Sequence, residues 1–230
     1  VIYFLLKKDW SSAARAGGGF LGSVLIGFAV SGSSSLSYWR GGFAELGKFG
    51  AQTVVGTHNQ SLLAAALRLL GRPEVPLAVQ VLLALCGAGL GALAAGRSLA
   101  SARPGSDVEA VAWIALGGLL ASPVSWTHHW VWVVVVLAVF AGRGERARAA
   151  VVLLVFWFPI VWMLYTGDNL ESLAFPWWKA LLSAVYVLAG VTILVDVVLR
   201  KSGDGLQQET LDQPRANDPV ESTPSSSVSI

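Results

Sequence analysis

The feature that most limits how this chain can fold is a series of uncharged apolar stretches, the clearest over residues 75–96. Several approach or exceed the roughly 20 residues needed to cross a hydrocarbon core. Backbone polar groups in lipid must be satisfied within their own segment, so these stretches are predicted to be helices. The composition agrees: 54% of the 230 residues are hydrophobic and 13% are charged, with a mean hydropathy of +0.62. The expectation is an all-α integral membrane protein, a multi-helix transmembrane bundle. Ten tryptophans fit it, because indole favours the membrane interface.

Charge and cysteine content remove other classes. The net charge is +2 without any cluster of Lys and Arg, which excludes a nucleic-acid surface. Cys86 is alone, so an intrachain disulfide or a Cys-pair metal site is impossible. It is read as a small buried hydrophobe. The chain opens on Val1 in an apolar run, which reads as a chain cut inside a transmembrane helix and therefore N-terminally truncated.

The organisation along the chain is legible from the apolar pattern. Residues 1–6 read as a helix tail closed by Lys7 and Lys8, and 17–32 as a short Gly-rich span. Residues 33–74 form a long polar and aromatic loop that ends in an amphipathic piece. Further spans are predicted at 75–96, 108–121, 130–142, 149–165 and 180–199. Residues 1–200 thus form one transmembrane domain. Residues 201–230, rich in Ser, Pro, Gln and acids, read as a disordered cytoplasmic tail.

The short loops carrying Lys7, Lys8, Arg97, Arg103, Arg143, Arg146 and Arg148 all fall on one side of this layout. By the positive-inside rule that side is cytoplasmic. The long loop, the SPVSWTHH turn and the loop after residue 166 then face outward. The segments flanking SPVSWTHH cover only ~20 Å each at about 1.5 Å per residue, against ~30 Å of hydrocarbon. The turn between them is therefore read as recessed below the outer headgroups.

All three histidines lie on the outward side. His128 and His129 are framed by Trp126, Trp130 and Trp132. Imidazole donates, accepts and can pair with phosphate near neutral pH; two interfacial residues capping a helix turn would look the same. Neighbours on a helix point about 100° apart, so the two are not expected to serve one atom. In the run THNQS, Asn59 and Gln60 offer amide groups suited to sugar hydroxyls. Ser61 reads as the N-cap of LLAAALRLL, a helix predicted to lie on the membrane surface with Leu62, Ala65, Ala66 and Leu69 on one face and Arg68 and Arg72 toward phosphates. Asp168 and Glu171 are outer acids, open to acid–base chemistry or to plain solvation. Asp196 reads as an i, i+4 partner of Arg200. No metal-ligand spacing, phosphate-binding Gly loop or nucleophile elbow occurs.

Polar groups gathered on one face, with span interiors nearly bare beyond Gln80, favour a membrane enzyme acting on a lipid-linked substrate. A multi-pass transporter or an assembly scaffold is the alternative; a transporter would carry ionisable or helix-breaking residues at mid-membrane.

The run SPVSWTHHWVW, residues 122–132, resembles the hallmark of glycosyltransferase family 87, the polyprenol-phosphate-mannose-dependent α-(1,2)-mannosyltransferases of actinobacteria. The upstream order GFAV, SLSYW and NQSLLAAALRLLG is similar as well. The resemblance implies a C-type glycosyltransferase (GT-C) fold in the plasma membrane. It also implies a polyprenyl-phosphate-mannose donor, a glycolipid or lipoglycan acceptor outside the membrane, and transfer with inversion. The general base of such enzymes is expected on an Asp in a first outer loop, upstream of Val1. On the same resemblance His128 and then His129 are the expected catalytic contacts. Asn59, Gln60, Tyr38, Trp39 and Trp126 are the expected substrate-binding residues. Neither a cofactor nor a metal is expected, since a monophosphate leaving group carries less charge than a diphosphate.

Overall fold

The computed structural model describes residues 1–42, 51–164 and 170–200. Asp168 and the 201–230 tail, both given expectations above, lie outside the described residues. The described chain is helical, with no strand beyond an isolated antiparallel bridge between Asn59 and Trp126.

The helices are α1 (Ile2–Leu6), α2 (Trp10–Val30), α3 (Gly32–Ser37), α4 (Ala51–Val55), α5 (Leu62–Leu70), α6 (Leu77–Ala100), α7 (Ser106–Ala121), α8 (Val133–Gly142), α9 (Arg146–Trp157), α10 (Ile160–Met163), α11 (Trp177–Ser183) and α12 (Val185–Leu199). A π-helical turn, Tyr38–Gly42, follows α3, and 3₁₀ turns occupy Thr127–Trp132 and Leu170–Ala174. Among the described residues three helical stretches are long and apolar enough to cross a membrane: Trp10–Val30, Leu77–Ala100 and Arg146–Met163. A fourth forms if α11 and α12, bent by 70°, count as one span.

Several predicted boundaries move, each for a local reason. The first span begins at Trp10 rather than 17, because the Asp9 carboxylate caps it by accepting from the Ser12 N–H at 3.0 Å, as an N-cap residue does. The 149–165 span is broken where Pro159 lacks the N–H that a continuing helix would need. The last span starts earlier, at Trp177, and bends between Ser183 and Val185. Cys86 is exposed on the outer face of α6 rather than buried, which costs little where the surroundings are lipid.

Helices α6 and α7 form the closest crossing. A Cβ at Gly91 would lie 2.7 Å from the Trp113 carbonyl, and one at Gly117 would lie 2.7 Å from Gly91 Cα. Glycine is required on both helices for the backbones to approach this closely. The Trp113 indole, buried at this crossing, donates to Ser98 Oγ at 2.9 Å. The core continues through Leu116, Leu120, Val136, Phe140 and Leu194.

The two ends of this bundle differ in kind. At one end Lys7 pairs with Asp107 at 2.9 Å. There too the Arg143 guanidinium grips the Glu109 carboxylate through Nε and Nη2, and Arg148 joins Glu145 at 2.7 Å and Asp196 at 3.5 Å. Asp196 thus takes a partner from α9. At the other end α7 terminates in the SPVSW turn and α12 begins at the bend, and loops replace helix.

Candidate functional site

Residues 56–61 thread between three other segments at the loop-rich end, and nearly every polar group there meets backbone. The Asn59 amide donates to the carbonyls of Val54 at 2.9 Å and Pro123 at 3.0 Å, and its oxygen accepts from the Ser125 N–H at 2.8 Å. Gln60 donates to Thr57 O and Ser183 O, both at 2.6 Å, and accepts from the Tyr186 N–H at 3.3 Å. Ser61 does both tasks of a good cap: its hydroxyl accepts from the Ala64 N–H and donates to Pro123 O, each at 3.1 Å. Ser172 and Ser125 hydroxyls tie in Val55 O and Leu119 O.

Asn59 and Gln60 are fully buried. Their amides therefore hold loops together, where the sequence suggested sugar hydroxyls as partners. Arg68 also differs from expectation. It is 1% exposed and donates to the carbonyls of Val55, Gly56, Asn59 and Ser183 at 2.8–3.3 Å. Burial pulls its pKa down to about 9. The buried residues of α5 are Leu63, Ala64, Ala65, Leu67 and Arg68, a face rotated from the Leu62, Ala65, Ala66 and Leu69 stripe and sharing only Ala65 with it, so α5 packs inward. An Arg spaced i, i+3 and i, i+4 from Ala65 and Ala64 is the available signal for this hub.

The histidine turn is laid over this polar knot. Gln60 N–H donates to Ser125 O at 2.7 Å and Thr127 N–H to His58 O at 3.0 Å. These bonds flank the Asn59–Trp126 bridge and fix the start of the 3₁₀ turn. Trp130, next in sequence, is driven into the core, where its ring lies 5.7 Å from Phe156 and 5.9 Å from Tyr186. Gly190 leaves the space: a Cβ there would meet the Trp130 ring at 3.0 Å.

With Trp130 buried, the two preceding imidazoles are left at the surface, His128 exposed and His129 half-buried. They do not diverge as helical neighbours should. Their ring centroids are 4.4 Å apart at 77°, and Trp126 packs against both at 5.6 and 5.7 Å. The indole is a shared wall that folds both rings back toward one point. Its Nε1 is buried and has no hydrogen-bond partner among the described residues. Three ring systems therefore pack together, two imidazoles at the surface against an apolar wall, a set able to meet an oxyanion. Tyr38 and Trp39 belong to a separate cluster, 5.3 Å from one another, with Trp39 6.2 Å from Phe20 of α2. Among the described residues there is no His, Cys, Asp and Glu group that could hold a metal ion.

Residues 1–123 match the model of glycosyltransferase family 87. A polyprenol-phosphate-mannose-dependent alpha-(1-2)-phosphatidylinositol mannoside mannosyltransferase of Mycolicibacterium smegmatis is 32% identical over 215 residues, 88% of this chain and 47% of the relative. The protein of the same name from Mycobacterium tuberculosis is 30% identical over 221 residues, covering 88% and 49%. A phosphatidylinositol pentamannoside mannosyltransferase of M. smegmatis is 26% identical, covering 89% and 50%. The chain spans about half the length of the curated relatives it matches. No solved structure matches it.

Proposed function

Because the chain belongs to glycosyltransferase family 87, we propose that it is part of a membrane hexosyltransferase that moves mannose from a polyprenyl-phosphate carrier to a glycolipid or lipoglycan. The printed names of the relatives give the donor class and point to mannosylated phosphatidylinositol as the acceptor class. The reaction breaks the bond between the anomeric carbon and the phosphate oxygen and forms one to an acceptor hydroxyl, with inversion. The leaving polyprenyl phosphate gains a negative charge as that bond opens. Donors aimed at this developing charge, in a site that excludes water, are the largest catalytic term such a protein can supply.

The observation that carries this reading is the convergence of His128 and His129 on Trp126. We assign His128 to the leaving phosphate and His129 to the same group from its partly buried side. The carboxylate that accepts the hydroxyl proton is the family's expected outer-loop Asp, a residue of the resemblance and not of the described chain.

Sidedness supports it. The basic pairs Lys7–Asp107 and Arg143–Glu109 occupy the end opposite the histidines, and short basic loops mark the cytoplasmic face. Trp157, Trp162, Trp177 and Trp178 are exposed near the histidine end, where an interfacial belt would sit. Helix α7 has 16 residues and α12 has 15, about 24 and 22 Å at 1.5 Å per residue, short of a ~30 Å hydrocarbon layer. On this reading the turn lies in a recess of the outer leaflet of the plasma membrane, and the segment after α12 lies in the cytoplasm.

The test is transfer itself. Membranes expressing the full reading frame, given polyprenyl-phosphate mannose labelled in the sugar, should move label into a mannosylated phosphatidylinositol. Transfer from a nucleotide-linked mannose in the absence of the polyprenyl donor, or no transfer at all, would overturn the proposal.

A further inference from the structure

We infer that Arg68 is a positioning residue for the histidine turn: its buried guanidinium clamps the backbone that sets where His128 and His129 stand. The inference rests on the assignment of that turn to the leaving phosphate.

Arg68 pays for its place. A charge at 1% exposure loses its hydration, and such burial is unfavourable unless hydrogen bonds replace the water. The usual replacement is a carboxylate, yet every partner of Arg68 among the described residues is a backbone carbonyl. Nη1 reaches Val55 O at 3.3 Å, Gly56 O at 2.8 Å and Asn59 O at 3.0 Å, while Nη2 reaches Ser183 O at 3.3 Å. A hydrophobic residue would fill this interior without that desolvation cost. What it could not do is gather carbonyls from one end of α4, the loop after it and the α11–α12 bend around a single planar group. A guanidinium presents its donors in a rigid fork, whereas an ammonium is a point donor on a flexible stem.

The clamped backbone leads directly to the site. Arg68 fixes the carbonyl of Asn59, whose side chain accepts from the Ser125 N–H at 2.8 Å and donates to Pro123 O at 3.0 Å. Between the clamped Gly56 and Asn59 lies His58, and its carbonyl accepts from the Thr127 N–H at 3.0 Å. Thr127 is the first residue of the 3₁₀ turn that carries both imidazoles. On the other arm, Ser183 O is shared between Arg68 and Gln60, and Gln60 N–H holds Ser125 O at 2.7 Å. Both arms therefore end on residues 123–127, the entry to the histidine turn. No step of the chemistry passes through Arg68 itself; it acts through the loop.

The experiment uses the full reading frame carrying Arg68→Met or Arg68→Lys, reconstituted in lipid nanodiscs. Transfer kinetics are expressed per folded molecule, and the carbethoxylation rates of His128 and His129 are read by mass spectrometry. Displacing a catalytic group by about an ångström can cost on the order of a hundredfold. The expected result for Arg68→Met is a kcat reduced about that much, a donor KM changed far less, and altered modification rates at both histidines. Arg68→Lys should recover part of each. If Arg68→Met does not fold, Arg68→Lys carries the same comparison against the parent protein. Parental kcat and modification rates in the folded variant overturn the inference, as does failure of both variants to fold, which would make Arg68 a folding residue only. The readouts separate this from the functional assignment. Normal turnover in a His128→Ala enzyme would sink that assignment while leaving the modification response to Arg68→Met intact.

Discussion

The side-chain amide of Asn59 donates to the carbonyl of Pro123 at 3.0 Å, across 64 residues of chain. That bond joins two of the motifs most conspicuous in the sequence, THNQS and SPVSWTHH, and gives them different jobs. One is the buried fastening and the other is the surface it holds.

Asn59 offers the sharpest test of the fastening. Asn59→Ala removes three hydrogen bonds; Pro123 O keeps its bond from Ser61, but the Ser125 N–H loses its acceptor, which costs about 1–3 kcal/mol when buried. Asn59→Asp should be worse than Asn59→Ala, because it aims a buried carboxylate at the carbonyls of Val54 and Pro123. Thermal unfolding in detergent checks the order: parent, then Ala, then Asp. Equal stability of all three would place these side chains outside the load path of the loop.

The α6–α7 crossing predicts a position-dependent glycine effect. Gly91→Ala or Gly117→Ala forces a methyl to within 2.7–2.8 Å of backbone on the opposite helix and should destabilise by about 1–3 kcal/mol, as overpacking does. Gly89→Ala, on the same helix with nothing within 4 Å, should be neutral or slightly stabilising. Unfolding midpoints of the three variants decide it.

Trp126 predicts a division between wall and donor. Trp126→Phe keeps an aromatic face against His128 and His129 but deletes the unpartnered N–H. Turnover should stay within a few-fold of the parent, because that N–H is buried, whereas Trp126→Ala should fall much further by freeing both imidazoles. Steady-state transfer rates of the two variants test this.

The Lys7–Asp107 contact predicts a pH window at the opposite end. The hydrogen bond that Lys7 donates to Asp107, with a smaller contribution from Tyr3, raises the Lys7 pKa above its ordinary 10.5. The folded state therefore binds this proton more tightly than the unfolded one. The contribution is fully present below about 10.5 and is lost as pH climbs through the raised value. The melting-temperature gap between parent and Lys7→Met should close over that alkaline range and stay constant below it.

Sidedness has its own direct test. With Cys86 changed to Ser, the chain has no thiol, so one introduced at Ser122 or Val131 beside the turn reports alone. It should react with a membrane-impermeant maleimide in intact cells, while one at Arg146 should react only after permeabilisation.

Much of this was readable in the residues, in proportion to how local the cause was. The spans follow from apolar runs, Ser61 caps α5 as its hydroxyl and position require, and the resemblance led to the family that the chain belongs to. What could not be read is tertiary. The sequence shows Asn59 and Gln60 as polar residues on an outer loop, and exposure or burial there depends on what packs over them. The pairing of His128 with His129 defied the helical angle because Trp126 supplies a wall for both rings. Arg68 stands within LLAAALRLL, where an apolar stripe can be drawn on either side of the helix and only tertiary packing decides between them. The kink near Ser183 has no Pro or Gly to announce it; it becomes intelligible once Gln60 and Arg68 are seen bonded to the carbonyl of Ser183.

The central claim is that the histidine turn receives the leaving phosphate, and single-turnover transfer by His128→Ala in the full reading frame tests it most directly. The predicted result is correctly inserted enzyme that still binds donor but transfers mannose about a hundredfold to a thousandfold more slowly, the range lost with one oxyanion donor. A transfer rate within twofold of the parent enzyme would contradict it and return both imidazoles to the role of helix-end packing.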